Sequence, residues 1–173
     1  MSRRYAIPAI LAAFALLTGC QPKVDEHAGS QAISQQQQAD VAGPIWQFTS
    51  IYTSPDAQSD VPQSAAGGVN IVFGDSSAIG ATGCAQLKAK TSYSKGGQAA
   101  KPNEADRVRF ERVSIENPRP DCSGEGKDVH DRLSGLLHDG TEYDLKRLGP
   151  TELLLTSTDA QNPNRPSIRL FAL

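Results

Sequence analysis

The sequence has few aromatic residues, no excess of positive charge and no apolar run long enough to span a bilayer. Aromatic residues make up 6% of the 173 residues, and 17 lysines and arginines stand against 19 acids, for a formal net charge of −2. A nucleic-acid-binding surface neutralises phosphates with basic side chains, so this balance argues against such a function. It also argues against a polybasic patch that would bind a membrane.

The sequence also lacks the short motifs that mark common active sites. It contains no Gly-x-Ser-x-Gly elbow, no phosphate-binding loop and no zinc-protease motif. His130 and His138 have Asp131 beside the first of them, but helical positions at their spacing lie about 12 Å apart along the axis. That distance disfavours joint coordination of a metal, so we interpret these three residues as solvated polar positions. The sequence therefore predicts no enzymatic activity, no metal and no cofactor.

The first 20 residues have the pattern of an export signal that ends in a lipidation site. Arg3 and Arg4 precede an apolar run over residues 5–17, which is shorter than the roughly 20 residues of a membrane-spanning helix. Residues 17–20 read Leu-Thr-Gly-Cys and resemble the bacterial lipobox, in which small residues admit the signal peptidase and the cysteine thiol takes a diacylglyceryl group. Acyl chains such as palmitate then hold the protein on the membrane. We predict a signal peptide over residues 1–19 and lipid attachment at Cys20.

An ordinary secretory signal followed by a chance cysteine is the alternative interpretation of this segment. Arg3 and Arg4 would also fit twin-arginine export, but Ala6 and Ile7 stand where that motif prefers Phe-Leu, which favours general secretion. If the organism has two membranes, Gln21 directly after the lipidated cysteine favours the outer membrane, with the domain facing the periplasm. In an organism with one membrane, the lipid would hold the domain on the outer face of the cell membrane.

A change of composition at Pro44 divides the rest of the chain into a tether and a domain. Residues 20–43, the predicted lipid anchor and tether, contain no aromatic residue and include four glutamines from Gln35 to Gln38. Such a segment buries too little apolar surface to offset the entropy lost on ordering, so we expect it to be disordered. Residues 44–173 are the predicted domain, because apolar residues there begin to alternate with polar ones.

The alternating pattern predicts a domain built mainly of strands. The predicted strands cover residues 45–53, 69–73, 79–90, 108–115, 143–148, 152–157 and 167–173, with a polar loop over residues 94–106. Tyr52 is placed on the same face as Trp46. The apolar residues of the fourth strand stand at even positions up to Phe110 and at odd positions from Val113. Regular alternation would expose one of these pairs, so we expect a bulge near Glu111. Gly80 and Gly83 interrupt the third predicted strand and indicate a bulge or a close backbone approach there.

One helix interrupts the strands. Its apolar residues recur at helical spacing, at Val129, Leu133, Leu136 and Leu137, and Gly140 is placed at its C-terminal cap. The fold class predicted from these elements is α+β, mainly β: a curved antiparallel sheet or partly open barrel of about seven strands with one packed helix. The predicted core comprises Trp46, Phe48, Val69, Ile71, Phe73, Val108, Phe110, Leu133, Leu137 and Leu155.

The domain contains two cysteines, Cys84 and Cys122. An even number of cysteines in an oxidising compartment favours a disulfide, which at this separation would contribute about 3–4 kcal/mol in the chain-entropy account. The alternative is half of a metal site, but the sequence offers no Cys-x-x-Cys or His-x-x-x-His companion. We therefore predict a stabilising disulfide that pins the third strand to the loop before the helix.

The residues around these cysteines resemble the META/HslJ-like domain of bacterial envelope proteins. Thr82-Gly83-Cys84 within a strand and Cys122 after a proline-rich turn carry the resemblance, which covers about residues 44–173 and also includes Trp46 near the start of the domain. Ala85 stands where that family usually has asparagine, and Ala89 stands where it has glycine. The resemblance implies a curved, mainly antiparallel β-structure with one packed helix. It brings no established catalytic residues, and the family's associations are with envelope stress, secretion and motility.

These observations together predict a non-enzymatic envelope lipoprotein. Its expected partners are the membrane, reached through the lipid anchor, and an envelope protein or envelope component of unknown identity, in a role in envelope stress or integrity. The alternative function is inhibition of a host or envelope hydrolase, because small disulfide-linked β-rich lipoproteins suit that task. No nucleic-acid partner is expected.

Overall fold

The computed structural model describes residues 40–54, 56 and 60–173. The predicted signal peptide, Cys20 and the first part of the predicted tether lie outside these residues. No helix in the described part of the chain is long and apolar enough to cross a membrane.

The described residues form nine strands, two α-helices and one short 3-10 helix. The strands are β1 (Ile45–Tyr52), β2 (Val69–Phe73), β3 (Ser77–Thr82), β4 (Gln86–Lys95), β5 (Gln98–Ala99), β6 (Arg107–Ile115), β7 (Glu142–Gly149), β8 (Glu152–Ser157) and β9 (Ser167–Ala172). The helices are α1 (Gln63–Ala66) and α2 (Gly124–Leu136), and the 3-10 turn is Pro102–Glu104.

Eight of the strands close into an antiparallel barrel. The hydrogen-bonded order is β3-β2-β1-β9-β8-β7-β6-β4, and a further pairing between β3 and β4 joins its two ends. β5 is the extra strand, which pairs with β4 beyond the start of β3. The mainly β, α+β class is therefore confirmed, but the expected open or partly open sheet of about seven strands is wrong. Closure gives each of the eight barrel strands a partner on both sides over at least part of its length, so no whole strand forms an open edge of the sheet.

The third predicted strand is in fact two strands. β3 ends at Thr82 and β4 begins at Gln86, and Gly83 turns the chain with a φ of +91°. The pattern did not show this turn because Gly83 is flanked by residues that suit strands. At Gly80 the predicted close approach is confirmed, because a Cβ there would lie 2.2 Å from the Asn70 carbonyl oxygen of β2. The polar loop expected over residues 94–106 instead contains the end of β4, β5 and the 3-10 turn.

Two bulges decide which side chains face the interior. Between β4 and β6 the partner of Lys90 is Arg112 and the partner of Thr91 is Phe110, so Glu111 is an extra residue at the predicted position. In β1 the register shifts at Thr49, and the predicted inward placement of Tyr52 is wrong. The bulge in β1 turns Ile51 inward in its place, and Ile51 is fully buried.

Apolar side chains fill the barrel. All ten residues of the predicted core are buried, which confirms that prediction. Other buried side chains complete the interior: Val41, Ile51, Leu87, Tyr93, Val129, Tyr143, Leu145, Leu153, Ile168 and Leu170. An eight-stranded barrel has an interior just wide enough for side chains to fill, and the apolar side chains fill it here.

Helix α2 covers the end of the barrel at which β3 ends and β4 begins. It runs over the predicted segment, begins earlier than Lys127, and ends before Leu137, whose N–H donates to the Leu133 carbonyl. Gly140 has a φ of +79°, but it lies in the turn that leads into β7 and is not the helix cap. His130 is 7% exposed, so its interpretation as a solvated position is wrong, whereas His138 is exposed as expected.

The opposite end of the barrel is closed by side-chain hydrogen bonds to the backbone. Trp46 Nε1 donates to the Val41 carbonyl at 2.8 Å, and Val41 is fully buried. The Arg147 guanidinium donates to the carbonyls of Asn103 and Ala105 at 2.8 and 3.0 Å, and burial lowers the pKa of that guanidinium. Packing thus extends to Val41, ahead of the boundary expected at Pro44, because the buried indole N–H needs an acceptor.

Candidate binding groove beside the disulfide

A groove of about 690 Å³ lies where four segments meet at the α2 end of the barrel. These are the β3–β4 turn, the segment over residues 116–123, helix α1 and the first turn of α2. Their lining residues are mostly polar or small: Ser64, Gly68, Gly83, Cys84, Gln86, Glu116, Asn117, Arg119, Asp121, Cys122, Ser123, Glu125 and Gly126. We name this surface the disulfide groove.

The groove is built around the predicted cysteine pair. Cys84 and Cys122 form a disulfide with their Cα atoms 5.6 Å apart, within the range that a disulfide requires. Cys84 lies in the β3–β4 turn, and Cys122 lies just before α2, so the bond ties the barrel wall to the start of the helix. Cys84 is only 3% exposed, which favours a structural role for this disulfide over exchange with other thiols.

Arg119 connects the two sides of the groove through its backbone and its side chain. Its N–H donates to the Cys84 carbonyl at 3.1 Å, and its carbonyl accepts from the Cys122 N–H at 3.0 Å. Its guanidinium donates to the Gly83 carbonyl at 3.3 Å and lies 3.6 Å from a carboxylate oxygen of Asp121. The segment before α2 is therefore held against the β3–β4 turn by hydrogen bonds as well as by the disulfide.

The charged side chains of the groove are predominantly acidic. Glu116, Asp121 and Glu125 supply three carboxylates against the single guanidinium of Arg119. Glu125 accepts a hydrogen bond of 2.5 Å from the Ser64 hydroxyl of α1. In the described part of the chain, no three His, Cys, Asp or Glu side chains are arranged to hold a metal ion. The groove therefore presents hydrogen-bonding groups and net negative charge at its surface.

A buried histidine supports the floor of the groove. His130 Nδ1 lies 2.7 Å from the Thr82 hydroxyl, and both side chains are buried. The Thr82 hydroxyl also accepts from the Ala85 N–H at 3.2 Å, which spans the turn that carries Cys84. His130 is thus a packing residue that joins α2 to the β3–β4 turn. The sequence signal for this burial is the position of His130 on the apolar face of the predicted helix, one residue after Val129.

A second cavity, of about 370 Å³, lies between the end of α2 and strands β7 and β8. Tyr143 lines it, donates a hydrogen bond of 2.6 Å to the Leu136 carbonyl and packs edge-on against Phe110. Burial raises the pKa of the Tyr143 hydroxyl well above its ordinary value. Arg109 and Asp139 are also in its lining, so charged and aromatic side chains share this cavity.

The structure brings together only part of what the sequence marked as functional. Cys84 and Cys122 meet as predicted, Cys20 lies outside the described residues, and His130 and His138 do not form a common site. The polar residues of the disulfide groove were missed, because no motif joins residues from four separate segments. Their one sequence signal is proximity to Cys122, since Arg119 and Asp121 precede it closely in a proline-rich stretch.

Comparisons with known proteins bear on the fold. No protein-family model matches the chain, and no curated protein matches it. The NMR structure of a protein from Burkholderia xenovorans is similar, with a TM-score of 0.51 and 16% identity over 96% of this chain and 99% of that chain. A likeness at this level of identity shows a shared fold and carries no function with it.

Proposed function

We propose that this chain is a lipid-anchored lipoprotein of the bacterial cell envelope whose barrel is a non-enzymatic binding module. The lipobox-like residues 17–20 support the anchor, and the resemblance to the META/HslJ-like domain supports a role in envelope stress or integrity. The lipid places the barrel at a membrane, and the barrel binds an envelope protein or another envelope component.

The observation that carries the binding role is the contrast between the filled interior and the open disulfide groove. Apolar side chains occupy the inside of the barrel, so a partner meets the outer surface. The disulfide groove is the largest of the cavities described, and it is held in shape by the disulfide and by the hydrogen bonds of Arg119. A preformed groove binds with less loss of conformational entropy than a flexible surface would.

Intact-mass analysis of the protein extracted from membranes tests the anchor. We expect a mature chain that begins at Cys20 and carries the added mass of acyl chains. Cys20→Ala should leave the precursor unprocessed or release soluble protein into the periplasm or medium. A mature chain that begins elsewhere, or one without acyl mass, would contradict the proposal.

Site-specific photo-crosslinking in living cells tests the binding surface. A photoreactive amino acid at Asp121, in the groove, should give a discrete protein adduct. The same amino acid at Asp131 is the control, because that position is also exposed but lies outside the groove lining. Equal adducts from both positions, or none from Asp121, would count against the groove as the binding surface. A hydrolase identified in the Asp121 adduct would favour the inhibitor function instead.

A further inference from the structure

Strand β6 is paired unequally along its length. Its first three residues, Arg107 to Arg109, pair with β7, whereas its pairing with β4 continues to Ile115. The barrel is therefore closed at this seam by three residue pairs and by Phe110, whose N–H donates to the Thr141 carbonyl and whose carbonyl accepts from the Gly140 N–H. Beyond the bulge at Glu111, the edge of β6 that faces β7 has no strand beside it.

Backbone alternation identifies the groups that point out of this edge. The Glu116 N–H donates to the Gln86 carbonyl of the β4 side, so in an antiparallel pair the N–H and C=O of Ile115 point the opposite way. The Val113 N–H points the same way as that of Ile115, because it donates to the Asp139 carboxylate at 2.7 Å. Among the described residues, no hydrogen bond is found for the N–H or the C=O of Ile115 on this side.

A groove of about 400 Å³ runs along this edge between β6 and the end of α2. Its lining is apolar at Val113, Ile115 and Leu137 and polar at Ser134, His138 and Asp139. The hydroxyl oxygen of Ser134 is buried without a hydrogen-bond partner in the described structure.

The outer face beside the same edge is basic. Lys90 and Arg112 lie directly opposite each other on β4 and β6, and neither forms an ion pair with a carboxylate of the described residues. Like charges at opposed positions of a sheet destabilise it, and an acidic side chain placed beside Arg112 would relieve that repulsion.

From this arrangement we propose that the β6 edge binds an extended segment of a partner protein in which apolar and acidic residues alternate. The segment adds a short strand beside Val113 and Ile115 and pairs with the free N–H and C=O of Ile115. Its apolar side chains enter the groove lined by Val113, Ile115 and Leu137, and its acidic side chains lie beside Arg112. This edge shares no lining residue with the disulfide groove, so the inference goes beyond the proposed function to a second binding surface.

Fluorescence anisotropy with a synthetic hexapeptide that alternates valine and glutamate tests the proposal. The full chain, extracted in detergent, should bind this peptide and should bind a valine–lysine hexapeptide at least about fivefold more weakly, because glutamates attract Arg112 and lysines repel it. A version of the first peptide with alternate amides N-methylated should bind about tenfold more weakly, because it cannot pair with the edge.

Two variants of the protein separate backbone pairing from charge. Ile115→Pro removes the N–H that points out of the edge and leaves the hydrogen bonds to β4 intact, so binding should fall about tenfold with little change in the thermal midpoint. Ile115→Val keeps the N–H and should bind as the wild type does. Arg112→Glu should reverse the preference between the two peptides.

Amide hydrogen exchange keeps the test decisive if Ile115→Pro fails to fold. In the wild type, the Ile115 amide should exchange quickly and become protected when the valine–glutamate peptide is added, whereas Ser114 should be protected throughout. Equal binding of both peptides, or no added protection at Ile115, would overturn the inference. Neither result bears on acylation of Cys20 or on adducts formed at Asp121, so the proposed function is tested separately.

Discussion

The two ends of the barrel are closed by different kinds of contact. At the α2 end, a disulfide, two helices and the hydrogen bonds of Arg119 hold the closing segments together. At the other end, no covalent bond is involved: Trp46 and Arg147 donate hydrogen bonds to backbone carbonyls of the segments that cover the opening. The disulfide groove, the largest of the cavities described above, lies at the covalently closed end.

This difference indicates that the disulfide serves the groove as well as overall stability. A groove lined by four segments needs their relative positions fixed, and apolar packing alone fixes them less well where the lining is polar. The Trp46 end has a buried apolar cover, so side-chain packing and hydrogen bonds suffice there. The following changes test that contrast, in order of decreasing expected effect.

Removing the disulfide should have the largest effect. The Cys84→Ala, Cys122→Ala double variant should lose about 4 kcal/mol of unfolding free energy. Without the disulfide, residues 38 positions apart are no longer linked, so the conformational entropy of the unfolded chain rises. Chemical denaturation of the variant, beside oxidised and reduced wild type, measures this loss. The reduced wild type should match the variant, and an unchanged unfolding free energy would refute a stabilising role.

Truncating Leu137 to alanine should cost about 3 kcal/mol, because this side chain is buried where α2 meets the barrel and its loss leaves a cavity. The matched control is Leu148→Ala, since Leu148 is 40% exposed on the outer face of β7 and should cost less than about 0.5 kcal/mol. Denaturation midpoints measure both. Equal losses would show that burial at the α2 end contributes no more than an exposed position.

At the opposite end, Trp46→Phe should cost about 2 kcal/mol. The phenyl ring cannot donate to the Val41 carbonyl, and it fills less of the buried space. Hydrogen exchange should show faster exchange near Val41 and unchanged exchange near Cys84. A uniform increase at both ends would mean that the two closures are not independent.

Tyr143→Phe should have the smallest effect, about 1 kcal/mol at pH 7, because the hydrogen bond to the Leu136 carbonyl is lost. Burial raises the pKa of Tyr143, so the folded protein keeps this proton at pH values where an unfolded tyrosine, with a pKa of 10.0, has lost it. Stability is therefore fully retained below about pH 10 and falls as the pH rises above it. Above about pH 10, the stability of the variant should fall less steeply with pH than that of the wild type. Identical slopes would contradict a contribution of the Tyr143 proton to stability.

Sequence patterns predicted the interior of the barrel better than its closure. Alternation located Val69, Ile71 and Phe73 correctly, and the parity change around Glu111 located a bulge, because both depend on neighbours along the chain. Closure depends on β9 reaching β1 and on β3 pairing with β4, which strand patterns alone do not specify. Tyr52 was misplaced for the same reason, since the β1 bulge forms against β9.

The candidate site was predictable only at its cysteines. Cys84 and Cys122 carry a chemical signal of their own, whereas Glu116 and Glu125 enter the groove only because the folded chain brings their segments together. His130 shows the converse difficulty: its helical position was correct, but its burial depends on Thr82 of a distant strand. Local sequence therefore identified elements and single residues, and long-range pairing decided the surface.

The order of strands around the barrel has a consequence for folding. Each barrel strand pairs with the one that follows it among the barrel strands, so the sheet can grow by successive pairing of neighbours, with the longest of these connections, from β6 to β7, containing α2. The pairing of β1 with β9 is the exception, because it joins residues such as Trp46 and Ala172 across nearly the whole described chain. Loop-closure entropy makes this the most costly contact to form. We expect the meander from β2 to β8 to assemble first and the seam between β1 and β9 to complete it.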